Sequence, residues 1–154
     1  LRRVICFLNF YFEKDKKEQE KLRDLIIFFQ SNNFEVVLKH HKEFGGKNTK
    51  LFYESLGIKF IKEEDISTSS LLFKEKPYYT VGWRSTSLCV SLRAGIIPIS
   101  LSEISDKGMS GIPYLFKDRV LFWNEDFDEI KSLVEEKSSY SEALSKLLDR
   151  WALS

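Results

Sequence analysis

The chain has 154 residues, the size of one compact domain. A hydrophobic content of 43%, with 13 phenylalanines and 3 tryptophans, excludes disorder over most of it. Lys and Arg (24) balance Asp and Glu (23) to a formal charge of +1, which excludes the broad basic field of a nucleic-acid-binding surface and confines any anion site to a local patch.

Taken in order, Arg3–Tyr11 reads as a short buried strand. Asp15 followed by Glu18 resembles a capping box with Asp in place of Ser or Thr. Leu22, Leu25, Ile26 and Phe29 then fall at i, i+3, i+4 and i+7, one face of a helix that ends near Ser31-Asn32-Asn33. Phe34–Lys39 is a second strand. A helix is expected through Leu51–Leu56 with Gly57 as its stop, then a short strand Ile58–Ile61 and a helix Ile66–Phe73 entered at Ser67. Tyr78–Val81 is a fourth strand, Ser85–Ala94 a helix stopped at Gly95, and Ile96–Ser100 a fifth strand. The stretch from Leu101 to Asn124 carries no clear period. Phe127, Ile130, Leu133 and Val134 mark one amphipathic helix, and Leu144, Leu147, Leu148 and Trp151 another. Strands alternating with helices predict a single Rossmann-like α/β domain over 1–154, a parallel sheet with helices on both faces.

No stretch approaches the ~18 apolar residues of a membrane span, and the start has no signal-peptide layout. Cys6 and Cys89 both lie in apolar patterns, which predicts two buried, reduced thiols and a cytoplasmic setting. The chain opens on Leu1 and its single methionine is Met109, so a piece of a longer protein is expected.

Two strand ends carry the chemistry. The only two histidines stand together in Lys39-His40-His41-Lys42, where an apolar run meets a cluster of charge. In the second, Gly82-Trp83-Arg84-Ser85-Thr86-Ser87, an apolar-aromatic strand ends in glycine and hydroxyls that open a helix. The free N–H groups and dipole of a helix start favour an anion, and a glycine gives a permissive turn where a ligand can approach the backbone. Each segment also has a plainer reading, as a solvated strand end and as a helix cap. Zinc is not expected: neither cysteine sits at ligand spacing from the histidines, and adjacent strand residues point to opposite faces. A Walker A sequence, a GxGxxG sequence and the surroundings of a nucleophile elbow are all missing. Glu63, Glu64 and Asp65 read as a solvated turn and helix start.

Together the two segments resemble the C-terminal, donor-binding domain of GT-B bacterial sialyltransferases and polysialyltransferases. Those enzymes carry a Lys-x-His-Pro motif after one strand and a Ser-Ser or Ser-Thr motif after a later one. Lys39-His40-His41-Lys42-Glu43 stands at the first and Gly82-Trp83-Arg84-Ser85-Thr86-Ser87-Leu88 at the second, followed by Ala94-Gly95-Ile96-Ile97-Pro98. The likeness covers the chain up to about Leu101. It departs at Lys42, where the motif has proline; His41 keeps the two-residue offset from Lys39, and His40 is the other register.

The resemblance implies half of a GT-B fold and a metal-free transfer of sialic acid from a CMP-activated donor to a glycan acceptor. It implies that Lys39, His41, Gly82, Ser85, Thr86 and Ser87 hold the donor nucleotide, with His41 also catalytic at the departing phosphate. It further implies an N-terminal acceptor-binding domain outside this sequence, no cofactor and no nucleic-acid partner. The location implied is the cytoplasm, with peripheral association at the inner face of the bacterial inner membrane open to the full-length enzyme. CMP-Kdo or CDP-glycerol transfer would use much the same residues. A non-catalytic nucleotide-binding regulatory module and a nucleotide-sugar epimerase share the architecture.

Overall fold

A computed structural model describes residues 2–8, 15–40, 51, 54–61, 66–83, 86–102, 120–136, 142, 145 and 149, without the side chains of His40, Lys59, Phe60 and Thr86. Its elements are β1 (Arg3–Leu8), α1 (Lys16–Ser31), β2 (Glu35–His40), β3 (Lys59–Phe60), α2 (Thr68–Glu75), β4 (Tyr79–Gly82), α3 (Thr86–Arg93), β5 (Ile97–Ser100), β6 (Leu121–Phe122) and α4 (Phe127–Glu135). Where the expected strands and helices fall on described residues they are present, with ends moved by a few residues; residues 9–11, Phe52, Tyr53, Ser85 and the Leu144, Leu147, Leu148 and Trp151 stripe lie outside the described residues. Among the described residues the sheet has one strand more than expected, β6, in the stretch that carries no period.

Local signals act as read. Asp15 caps α1 by accepting from the Lys17 N–H at 2.9 Å, and Ser67 caps α2 by accepting from the Ser70 N–H at 3.1 Å. Gly57 (φ 62°) and Gly95 (φ 76°) adopt the left-handed conformation that ends the preceding helical turns. Leu51 and residues 54–56 are helical, as are 142, 145 and 149.

All six strands are parallel, in the order β3-β2-β1-β4-β5-β6. The chain winds outward from β1 to β3, returns through α2 to the far side of β1, and winds outward again to β6. This is the doubly wound order, with its switch point between β1 and β4. Alternation along β1 sends Val4, Cys6 and Leu8 to one face, where Leu22, Leu25, Ile26 and Phe29 of α1 and Ile130, Leu133 and Val134 of α4 cover them. Ile5 and Phe7 go to the other, with Val37 and with Leu71 and Leu72 of α2. Each such side chain, fully buried, contributes about 1.5–3 kcal/mol. On the first face Phe28, Trp123 and Phe127 meet edge to face at 5.0–5.7 Å and pin α1 to the start of α4.

Pro98 sits inside the sheet without breaking it. Ile97 and Leu101 donate their N–H groups towards β4, to the Tyr78 and Gly82 carbonyls, so the proline's missing donor faces β6. There pairing begins only at Ile99 with Leu121.

Both cysteines are free and buried, as expected. Burial pushes the Cys6 thiol far above its ordinary value of 9.0, and it also pushes up the Tyr79 phenol. Below pH 9 both folded and unfolded chains keep the Cys6 proton. Above it the unfolded chain sheds the proton and the folded chain keeps it, so the native state binds more protons and stability falls as pH rises. Urea midpoints should therefore decline from about pH 9 upward, by up to ~1.4 kcal/mol per pH unit for each such group. Cys6→Ala should flatten part of that slope; an unchanged slope would mean that the thiol titrates freely in the native state.

Candidate functional site

Parallel pairing puts the C-terminal ends of β2, β1 and β4 on one edge of the sheet. Leu8 pairs with His40 on one side, and Cys6 pairs with Val81 on the other, which brings Trp83 level with Leu8. The end of β2 and the end of β4 thus flank the end of β1, two strand spacings or about 10 Å apart. The first turns of α1 and α3 rise from this edge on opposite faces. The described ends of the two segments singled out in the sequence, Lys39-His40 and Gly82-Trp83, therefore lie on either side of β1 beside the switch-point crevice, where open α/β sheets bind ligands.

Lys39 is half-buried and shares the strand parity of Val37, on the face covered by α2. Gly82 is the last residue of β4, paired with Ser100. Its φ is not positive, so the turn does not require glycine, contrary to the permissive-turn reading. A Cβ there would meet Leu88 Cδ2 at 3.6 Å and the Phe7 carbonyl oxygen at 3.7 Å, ordinary contacts. Thr86 opens α3, and Ser87 Oγ lies 3.3 Å from Thr68 Oγ1 of α2. His41, Arg84, Ser85 and the Thr86 side chain lie outside the described residues, as do Glu63, Glu64 and Asp65.

The best-defined polar network at this edge was not legible in the sequence. Trp83, buried in the α1-side core, donates its indole N–H to Glu18 Oε2 in the first turn of α1. Lys21 donates to the other carboxylate oxygen of Glu18 at 3.0 Å and to the Leu101 carbonyl, just past β5, at 3.3 Å. The Asp15–Glu18 pair is thus half a capping box. Asp15 caps, while Glu18 spends both oxygens on Trp83 and Lys21. The available signal was a tryptophan at a buried strand end, whose N–H must find an acceptor. The network clamps α1 to the ends of β4 and β5 and fixes one wall of the crevice.

At the end of β5 Ser100 Oγ accepts from the Ser102 N–H at 3.1 Å, both residues buried. Thr80 Oγ1, in the middle of β4, is buried and finds no hydrogen-bond partner among the described residues. Among the described residues no group of three or more His, Cys, Asp or Glu is placed to hold a metal ion, and no helix is long and apolar enough to cross a membrane. Comparison with protein-family models gives no match, and neither does comparison with curated proteins.

Proposed function

We propose that this domain binds the nucleotide of a CMP-activated sugar in a GT-B glycosyltransferase, with sialic acid as the transferred group. One observation supports the reading above all: the strand order sets the end of β2, at Lys39 and His40, and the end of β4, at Gly82 and Trp83, on either side of β1 beside the switch point. The reading places a phosphate in that crevice at the N–H groups and positive end of α3, and asks the hydroxyls of Ser85 and Thr86 and the imidazole of His41 to complete its donors. In the transfer, an acceptor hydroxyl oxygen bonds to the anomeric carbon while the carbon–oxygen bond to the CMP phosphate breaks. Charge builds on the departing phosphate, which these donors stabilise and His41 can protonate. Deprotonation of the acceptor falls to a second, acceptor-binding domain, and such an enzyme would work in the cytoplasm at the inner face of the membrane. CMP-Kdo or CDP-glycerol as donor would place the same demands on these residues.

Calorimetric titration of the protein with CMP, CDP, UMP and UDP tests the reading. The cytidine nucleotides should bind and the uridine nucleotides should bind more weakly; preference for a uridine nucleotide would favour an epimerase, and no binding would remove the proposal. Ser85→Ala and Thr86→Ala separate phosphate contact from capping. Loss of a charge-assisted contact should cost CMP affinity about tenfold to a hundredfold. Loss of a cap should cost about 0.5–2 kcal/mol of stability and leave CMP binding at the parent level.

A further inference from the structure

A groove of about 770 Å³ opens between α2 and α3 at the opposite, N-terminal edge of the sheet. The helices meet at their first turns, where Thr68 Oγ1 lies 3.3 Å from Ser87 Oγ, and the groove lies towards their C-terminal ends. Leu72 and Phe73 of α2 face Val90 of α3, with Tyr78 and Ile96 also lining it. Phe73 is 81% exposed, so this apolar wall is left uncovered.

The rim has one sign of charge. Lys76 at the end of α2 and Arg93 at the end of α3 both line the groove, and among the described residues no carboxylate does. The adjoining Glu75 is already paired with Arg3 at 3.1 Å. Among the described residues neither Lys76 nor Arg93 has a carboxylate partner. Apolar walls below two unneutralised cations call for an apolar body with an anionic end. The volume is that of a small-molecule site, and the lined stretch of α2, Ser69 to Lys76, is about 10 Å long, too short to seat several turns of a partner helix. A second copy of the chain would bring the same positive rim against itself.

We propose that this groove binds a single-chain anionic amphiphile of the fatty-acid class, its alkyl chain along Leu72, Phe73, Val90 and Ile96 and its carboxylate at Arg93 and Lys76. The site is independent of the nucleotide reading, because it lies at the other edge of the sheet.

The test is titration of the protein with decanoate below its micellar concentration, beside decyl glucoside and decyltrimethylammonium, read by calorimetry and by methyl NMR. Decanoate should bind at one saturable site, at least about tenfold tighter than the neutral and cationic analogues, and shift the methyl signals of Leu72, Val90 and Ile96. Arg93→Gln with Lys76→Gln should weaken decanoate about tenfold to a hundredfold while leaving decyl glucoside unchanged. Phe73→Ala should weaken both. These side chains lie at the surface, so the variants should fold as the parent does. Absence of saturation, equal affinity for the three head groups, or shifts remote from the groove would each overturn the proposal. So would co-sedimentation with phosphatidylglycerol vesicles without decanoate binding, which would make the patch a membrane contact.

Discussion

On the glycosyltransferase reading proposed above, His41→Ala is expected to lower turnover of CMP-sugar transfer by about 10²–10⁴-fold, the range for loss of a general acid, with much less change in donor affinity. His40→Ala is expected to be far milder. The contrast follows from the two-residue offset between Lys39 and His41 and from the single acidic role that the departing phosphate requires. An imidazole, with an ordinary pKa of about 6.5, can supply that proton near neutrality. The measurement is steady-state kinetics of both variants, made in the full-length protein together with the acceptor-binding half that this reading requires. Equal and small effects would return the pair to a solvated strand end. A loss confined to donor affinity would leave His41 a binding residue and no acid.

Trp83→Ala is expected to destabilise the fold by about 3–5 kcal/mol, the range for deleting a large buried aromatic ring. Trp83 is 3% exposed, lies in the core between the sheet and α1, and supplies the N–H that Glu18 accepts. Trp83→Phe separates the two contributions. It keeps most of the buried ring and removes the donor, while Lys21 still holds the carboxylate, so about 1–2 kcal/mol should be lost. Urea melts of both variants give the two values. Equal losses for Phe and Ala would assign the whole effect to the hydrogen bond. If the proposed CMP site holds, CMP affinity should fall in Trp83→Phe as well, because Trp83 directly precedes Arg84 and Ser85 in the chain.

Much of this architecture is written in local sequence. The apolar runs of β1, β2, β4 and β5, the Leu22–Phe29 stripe, the caps at Asp15 and Ser67 and the stops at Gly57 and Gly95 each report a short-range preference that the folded chain keeps. What stayed illegible depends on distant partners. Leu121 and Phe122 are too few to show a period, and become a strand only because β5 offers Ile99 and Ser100 to pair with. The Glu18–Trp83 bond joins residues 65 apart, and the local capping rule assigned Glu18 to the backbone beside it. The helix expected over Ile66–Phe73 did not show which of its apolar residues face out, and α2 turns Phe73 outward into the groove beside α3. At the candidate site the sequence pointed to two strand ends, and the winding of the sheet is what makes them neighbours.

The outermost strands have a consequence for solubility. β3 and β6 are each two residues long, Lys59–Phe60 and Leu121–Phe122. A long flat border of unpaired amides and carbonyls invites strand addition by other chains, the route to edge-to-edge aggregation and amyloid-like growth. Here an incoming strand would find a two-residue template on either flank, too little to repay the entropy of ordering its own backbone, about 1–2 kcal/mol per residue. Among the described residues, then, neither flank of the sheet offers much of a template for polymerisation.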